Sequence, residues 1–120
     1  MAKAESRMLV LAKRRFKIWR EVVTVGDFVR GSVVVLRRPC TRAECRVCRS
    51  GKRHPATYLS MKEKGRTRLV YLTKERIAQA RQWVREWKRL EKLLGEMSKT
   101  NAEILRLLGR RDTAERRANR

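Results

Sequence analysis

Hydrophobic positions recur at helical spacing towards both ends of the chain, with a β-rich stretch between them. In residues 7–23, apolar side chains recur in steps of three and four, at Leu9, Ala12, Phe16, Trp19 and Val23. This spacing predicts an amphipathic helix with a basic outer face. We expect Phe16 and Trp19 to anchor this helix in the core, although a helix that lies on a membrane surface has the same pattern.

The middle of the chain predicts three strands. The β-branched run Val33-Val34-Val35-Leu36 ends before Pro39, which cannot donate to a ladder. Residues 56–63 and 66–72 have the pattern of two hairpin arms that turn at Lys64-Gly65. A two-residue turn pairs Leu59 with Val70 and Tyr58 with Tyr71, and places Leu72 on the face of Leu59. The tyrosines could stack on nucleic-acid bases or simply pack across the strands.

A second helix is predicted from Thr73, as its cap, to about Leu108. Its apolar positions form a heptad seam: Trp83, Trp87, Leu90, Leu94, Met97, Asn101, Ile104 and Leu108. We expect the first half of the seam to cover the sheet. The second half (Leu94, Met97, Asn101, Ile104 and Leu108) is then free to pair in a homodimer, with Asn101 as the buried polar residue that fixes register. Gly95 weakens the pattern, so a kink remains open.

These elements predict an α+β fold: a small antiparallel sheet of about three strands with a zinc knuckle, an N-terminal amphipathic helix and a long C-terminal helix. We divide the chain into residues 1–30 (helix and connection), 31–73 (zinc-binding β domain), 74–108 (packing and oligomerisation helix) and 109–120. The last segment carries five arginines and almost nothing apolar, and we expect it to be disordered until bound.

Charge narrows the choice of partner. The 120 residues include 33 Lys and Arg against 12 Asp and Glu, a formal net charge of +21. Such an excess favours a polyanionic partner, with nucleic acid ahead of an anionic membrane. The longest apolar runs are too short to span a bilayer, and charge follows rather than precedes the N-terminal apolar stretch, unlike a secretory signal. We therefore expect a cytoplasmic protein, with association to the nucleoid left open.

All three cysteines and the only histidine fall within fifteen residues, as Cys40, Cys45, Cys48 and His54. The spacing C-x4-C-x2-C-x5-H offers the four sulfur and nitrogen donors of a closed, tetrahedral structural zinc site. In a reducing compartment, clustered cysteines more often hold metal than form disulfides. We expect one Zn²⁺ per chain; an iron–sulfur cluster and three buried free thiols are the alternatives.

Basic side chains crowd the same region. We predict phosphate contacts from the metal loop and from the tip of the hairpin, because arginine donates two parallel bonds to phosphate. The predicted contacts are Arg37, Arg38, Arg42, Arg46, Arg49, Lys52, Arg53, Lys62, Lys64, Arg66 and Arg68. We expect them to form a single cationic tip at one end of the sheet.

The segments R-G-S-V-V-V-L-R-R, C-x4-C-x2-C-x-S-G-K-R-H-P, K-G-R-T-R-L-V-Y-L and W-V-R-E-W-K-R-L-E-K-L-L carry a family resemblance. From about residue 31 to residue 108, the chain resembles an uncharacterised family of small bacterial and archaeal Cys3His proteins, a domain of unknown function. The resemblance implies the zinc site and the fold but no activity.

Two functions from different classes follow. The first is a zinc-stabilised nucleic-acid-binding protein, with DNA modestly favoured over RNA. The second is an oligomerising adaptor that binds protein through its C-terminal helix. The sequence has no P-loop, dinucleotide fingerprint or paired carboxylate site, so we predict no enzyme and no small-molecule substrate.

Overall fold

The computed structural model describes residues 2–38 and 54–120. Within them the chain forms helix α1 (Ala2–Val22), strands β1 (Ser32–Arg38), β2 (His54–Glu63) and β3 (Arg66–Tyr71), a 3-10 turn (Lys74–Arg76) and helix α2 (Ile77–Ala118). The predicted α+β class, with an N-terminal helix, three antiparallel strands and a long C-terminal helix, is confirmed. None of the described helices combines the length and the apolar character needed to cross a membrane.

The strands form one antiparallel sheet in the order β1-β2-β3. Leu59 lies opposite Val70, and Tyr58 lies opposite Tyr71, so the predicted hairpin register is confirmed. The register follows from the turn, where Lys64 has φ 51° and Gly65 has φ 78°. Two consecutive positive φ values are typical of the type I′ turn, whose twist matches that of the flanking strands.

The chain divides into two compact units. The first, which we call the helical unit, comprises Met1–Val25 and Arg89–Arg120; the second, the sheet unit, comprises Gly26–Lys88. Helix α2 contributes its first part to the sheet unit and its remainder to the helical unit.

In the sheet unit, the buried apolar residues lie on β2 and on the start of α2. Leu59, Ala80 and Val84 are its buried apolar residues among those described. The segment before β1 is fixed to this helix, since Phe28 stacks on Trp87 with ring centroids 5.6 Å apart. The amide of Val29 also donates to the carbonyl of Trp83 at 3.2 Å.

Gly31 allows this segment to approach β2 closely. A Cβ at Gly31 would lie 2.7 Å from the backbone oxygen of Ser60 and 3.2 Å from side-chain atoms of Leu59 and Met61. Gly31→Ala should therefore destabilise the chain by about 1–3 kcal/mol, the usual cost of overpacking. Urea unfolding would measure the change. Gly26→Ala is the matched control, because nothing lies within 4 Å of its Cβ position, and equal stability of the two variants would contradict the argument.

The helical unit is an antiparallel pair formed by α1 and the later part of α2. Arg7 Nη2 lies 2.7 Å from Glu103 Oε1, while Arg89 donates to Thr24 Oγ1 at 2.6 Å, so the helices run in opposite directions. Ile18, Leu93 and Met97 form the buried cluster, with Val22 and Val25 packed against it.

The predicted inner face of α1 is wrong. Phe16 and Trp19 remain 66% and 53% exposed, whereas Leu11 and Ile18 are buried. Helix α1 has two apolar faces. The antiparallel helix α2 covers the face that contains Leu11 and Ile18, which are seven residues apart. Leu9, Ala12, Phe16, Trp19 and Val23 consequently lie on the exposed face.

The predicted pairing set on α2 is also corrected. Met97 and Ile104 are buried within one chain, together with Leu93 and Thr100, and cannot serve a free pairing seam. Leu94 and Leu108 are exposed, and Asn101 is half-buried. The buried face of α2 is the face that contacts α1, and it is displaced around the helix from the predicted seam.

Helix α2 is continuous past Gly95 and ends at Ala118, ten residues after the predicted end at Leu108. The segment 109–118, expected to be disordered until bound, is helical and exposed. It contains no proline, and arginine, alanine and glutamate are good helix formers. Thr113 Oγ1 donates to the carbonyl of Gly109 at 3.0 Å, an additional bond within the helix.

Candidate zinc loop and cationic surfaces

The predicted zinc loop starts and ends at one end of the sheet. Arg38, the last residue of β1, is the register partner of His54, the first residue of β2. The chain therefore leaves the sheet and returns to it at the same level, and His54 is placed at the base of the loop. Cys40, Cys45 and Cys48 lie outside the described residues, and among those described no three His, Cys, Asp or Glu residues form a metal group.

This placement fits a structural zinc ion. A Cys3His set has the sulfur and nitrogen donors that zinc prefers. The paired strand ends already close the loop that carries three of these donors, and they fix the backbone of the fourth. The residues that would hold the ion are Cys40, Cys45, Cys48 and His54.

Of the predicted cationic residues that the structure describes, Arg37 and Arg38 lie at one end of the sheet and the four hairpin residues at the other, so the expected single tip is wrong. Nine residue steps separate His54 at one end of β2 from Glu63 at the other, a distance of about 30 Å at roughly 3.3 Å per residue. Arg37 is exposed near the loop end. Arg38 ends β1 there, while Arg42, Arg46, Arg49, Lys52 and Arg53 lie outside the described residues.

The hairpin end carries the other four predicted cations. Lys62, Lys64, Arg66 and Arg68 are all exposed on the two strands and the turn. Arg68 Nη1 lies 3.2 Å from Glu63 Oε2, with both side chains more than half exposed. An ion pair so open to solvent contributes little and barely neutralises the surface. The hairpin end therefore presents four cations against one carboxylate.

A small cavity adjoins the hairpin end. It is open to solvent, has a volume of about 280 Å³ and is lined by Arg30, Gly31, Ser32, Ser60, Met61, Lys62 and Thr67. Strand pairing explains the grouping, since Ser32 is opposite Ser60 and Thr67 is opposite Lys62. The lining contains two cations, three hydroxyl groups and no carboxylate, a donor set suited to the oxygens of an anion.

Arg30 is held in place by an aromatic pair. Its guanidinium carbon lies 5.5 Å from the ring centroid of Trp87, which itself stacks on Phe28. A cation above an aromatic face is attracted to the ring and loses freedom. Sequence reasoning missed Arg30, Ser32, Ser60 and Thr67 as candidates. The predicted hairpin register could have placed Thr67 beside Lys62, but the approach of Arg30 had no sequence signal.

A second cationic surface lies in the helical unit. Arg106, Arg110 and Arg117 line a shallow groove along α2 with Gly109, Thr113 and Ala114. All of these residues except Arg106 belong to the segment that we expected to be disordered. The Arg-rich segment therefore displays its charge from a helix.

The tyrosine pair favours packing over base stacking. Tyr58 and Tyr71 meet edge to face, with ring centroids 5.8 Å apart. This geometry is a normal cross-strand aromatic contact. It leaves Tyr71 exposed but does not present two parallel rings to a base.

Comparison with known proteins places the chain in a family. The profile described as Domain of unknown function (DUF6788) matches residues 10–82. The chain belongs to this family. The DUF6788 match covers most of α1, the whole sheet with its Cys-rich loop, and the start of α2. It therefore begins and ends earlier in the chain than the predicted resemblance, which runs from about residue 31 to residue 108. No curated protein and no solved structure is detectably similar to the chain.

Proposed function

We propose that this DUF6788 protein is a zinc-stabilised nucleic-acid-binding protein that contacts phosphates from both ends of its sheet. The observation that carries the proposal is the hairpin end, where Lys62, Lys64, Arg66 and Arg68 are exposed with only Glu63 to offset them. The net charge of +21 supports the same class of partner.

The length of the sheet favours a duplex. Its two cationic ends are about 30 Å apart along β2, close to the 34–36 Å of one turn of B-DNA. A sheet that lies along the duplex would reach phosphates about one turn apart. This spacing favours a duplex, and it is similar in A-form RNA. DNA is favoured because a two-stranded hairpin fits its wide major groove, whereas the major groove of RNA is deep and narrow. Phosphate contacts at the two ends require no contact to base edges.

Zinc has a structural role in this proposal. Cys40, Cys45, Cys48 and His54 would hold one ion and fix the arginines of the loop at the end of the sheet. Four protein donors leave no open position on zinc, so no catalytic step is proposed. We place the protein in the cytoplasm, where the thiols stay reduced and able to bind metal.

The cavity beside the hairpin supplies a specific phosphate contact. Arg30 and Lys62 would donate to one phosphate, and the hydroxyl groups of Ser32, Ser60 and Thr67 would complete its shell. Charge-assisted bonds of this kind are stronger than neutral ones. The site would position the backbone of the nucleic acid and carry no sequence information.

A salt series tests the proposal. We expect the purified chain to bind a fluorescent duplex of about 20 base pairs, with a log–log salt slope of about −5 if six phosphates are contacted. Fluorescence anisotropy would measure the slope for DNA and for an RNA duplex of the same sequence, with tighter binding to DNA. The absence of binding at low salt, with a nucleic-acid-free preparation, would contradict the proposal.

The alternative is a protein-interaction adaptor that oligomerises through its helices. It is favoured by one observation, the large apolar side chains that the helical unit leaves exposed. The salt series separates the two functions, because an adaptor requires no phosphate contact.

A further inference from the structure

The helical unit leaves a second apolar face uncovered. On α1 it consists of Leu9, Ala12, Phe16, Trp19 and Val23, and on α2 of Leu94, Ser98, Asn101, Leu105 and Leu108. We call these ten residues the dimer face. Leu105, at 69% exposure, is its most open leucine.

The two halves of the dimer face lie on the same side of the helix pair. A groove marks the side of the helix pair opposite the dimer face. Residues of both helices line this groove, including Lys17 and Glu21 of α1 and Glu96 and Lys99 of α2. Each of these residues directly precedes a buried or half-buried one: Ile18, Val22, Met97 and Thr100. In an antiparallel pair, positions before the inner residues share one side.

Positions that directly follow the inner residues share the other side, since each step turns the helix by about 100°. Ala12, Trp19 and Val23 follow Leu11, Ile18 and Val22. In the same way, Leu94, Asn101 and Leu105 follow Leu93, Thr100 and Ile104. The two exposed apolar stripes are therefore adjacent and form one continuous face.

The charge pattern favours an apolar occupant over a polyanionic one. Lys and Arg make up 33 of the 120 residues, yet none of the ten positions of the dimer face is basic. Arg20 borders the face, with its guanidinium carbon 6.0 Å from the ring centroid of Phe16. A face that binds nucleic acid or an anionic bilayer would be expected to carry cations. The occupant should instead be another apolar protein surface.

The size of the face matches that of a dimer interface. The exposed parts of the seven large apolar side chains of the dimer face amount to on the order of 700 Å². For comparison, one large aromatic side chain has a full surface of about 150–250 Å². The exposed area of the face exceeds the largest apolar patch of a typical monomer, about 300–600 Å². It approaches the roughly 800 Å² that each partner contributes to a standard interface.

Asn101 points to a second copy of the same chain. Among the described residues, its Oδ1 is a buried side-chain oxygen without a hydrogen-bond partner. Burial without a partner costs free energy. Because this oxygen is buried within one chain, a second copy reaches it only after the Asn101 side chain rotates towards the dimer face. Across a twofold axis near Asn101, the rotated amide of each copy would donate to Oδ1 of the other, which satisfies both at once.

Two exposed leucines of α2 are arranged symmetrically about Asn101. Leu94 and Leu108 are each seven residues from Asn101. An antiparallel crossing of two α2 helices at Asn101 would pack Leu94 of one copy against Leu108 of the other. We propose that the dimer face joins two copies of this chain into a four-helix bundle, independently of nucleic-acid binding.

Sedimentation analysis of the full chain, at high salt and without nucleic acid, tests this inference. The wild-type chain should sediment as a dimer across a micromolar concentration series. Leu105→Glu should raise the dimer Kd by about 100-fold or more, because the carboxylate would be buried without a partner. Asn101→Asp should raise the Kd by about tenfold or more at neutral pH, because two carboxylates would face each other.

Val10→Glu is the matched control. Val10 is exposed on α1 but directly precedes Leu11, so it lies on the other side of the helix pair. It should leave the Kd unchanged, and circular dichroism should show that all variants remain helical. A monomeric wild-type chain, or equal effects of Val10→Glu and Leu105→Glu, would overturn the inference. So would a monomer that binds anionic vesicles through Leu105, which would make the face a membrane contact.

Discussion

Chelation of zinc from the purified chain should release one ion per chain and unfold the sheet unit. Structural zinc sites contribute apparent binding free energies of about 10–16 kcal/mol at neutral pH. The core of the unit offers little to replace this, since only Leu59, Ala80 and Val84 are buried apolar residues among those described in it. We therefore expect loss of the ion to abolish the cooperative unfolding transition of the sheet, as followed by circular dichroism with elemental analysis.

Substitution of single ligands should reproduce the effect of chelation. Cys45→Ser and Cys48→Ser each remove a thiolate from the predicted site, and both should purify with less than stoichiometric zinc and a strongly lowered Tm. Ala43→Ser is the control, because it introduces the same side chain into the same loop without removing a donor. A metal-free wild-type protein with an intact transition would refute the zinc site, and visible absorbance with bound iron would indicate a cluster instead.

The sheet was predictable because its local signals agree. A β-branched run forms β1, the sequence Lys64-Gly65 takes the positive φ values of a type I′ turn, and the turn length fixes Leu59 opposite Val70. Local propensity, turn chemistry and hydrophobic alternation all indicate one structure. Because these signals agree, the hairpin could be predicted from the sequence.

The inner face of α1 was not predictable in the same way. The helix has one apolar stripe through Leu11 and Ile18 and another through Phe16 and Trp19. Periodicity shows that both exist but not which one the second helix covers, and the stripe with the larger side chains remained exposed. The choice depends on complementarity with Leu93 and Met97, which lie more than seventy residues away along the chain.

The sequence contained the information needed to avoid predicting a single cationic tip. A strand is extended, so a loop before it and a turn after it must lie at opposite ends. The hairpin arm was predicted as residues 56–63, which already separates His54 from Lys64. The cavity that contains Arg30 differs, because it depends on the contact of Arg30 with Trp87, which no local pattern encodes.

Separate neutralisation of the two cationic ends should reduce DNA affinity in additive steps. Lys62→Gln with Arg66→Gln removes two charges at the hairpin, and Arg46→Gln with Arg49→Gln removes two in the loop. Each pair should lower affinity by about 10- to 100-fold and reduce the log–log salt slope by about two, one for each lost phosphate contact. Because about 30 Å exceeds the Debye length of roughly 8 Å at physiological salt, the quadruple variant should show the product of the two effects.

The control for these variants is Arg81→Gln with Lys88→Gln, which removes two exposed charges from α2 within the same unit. If net charge alone drives binding, this pair will weaken affinity as much as the hairpin pair does. If the ends of the sheet bind phosphate, the control will change affinity only slightly and leave the salt slope near its wild-type value. A hairpin pair that behaves like the control would remove the hairpin from the interface, and an unaffected loop pair would remove the loop. Only additive losses at both ends support a protein that lies along one turn of DNA.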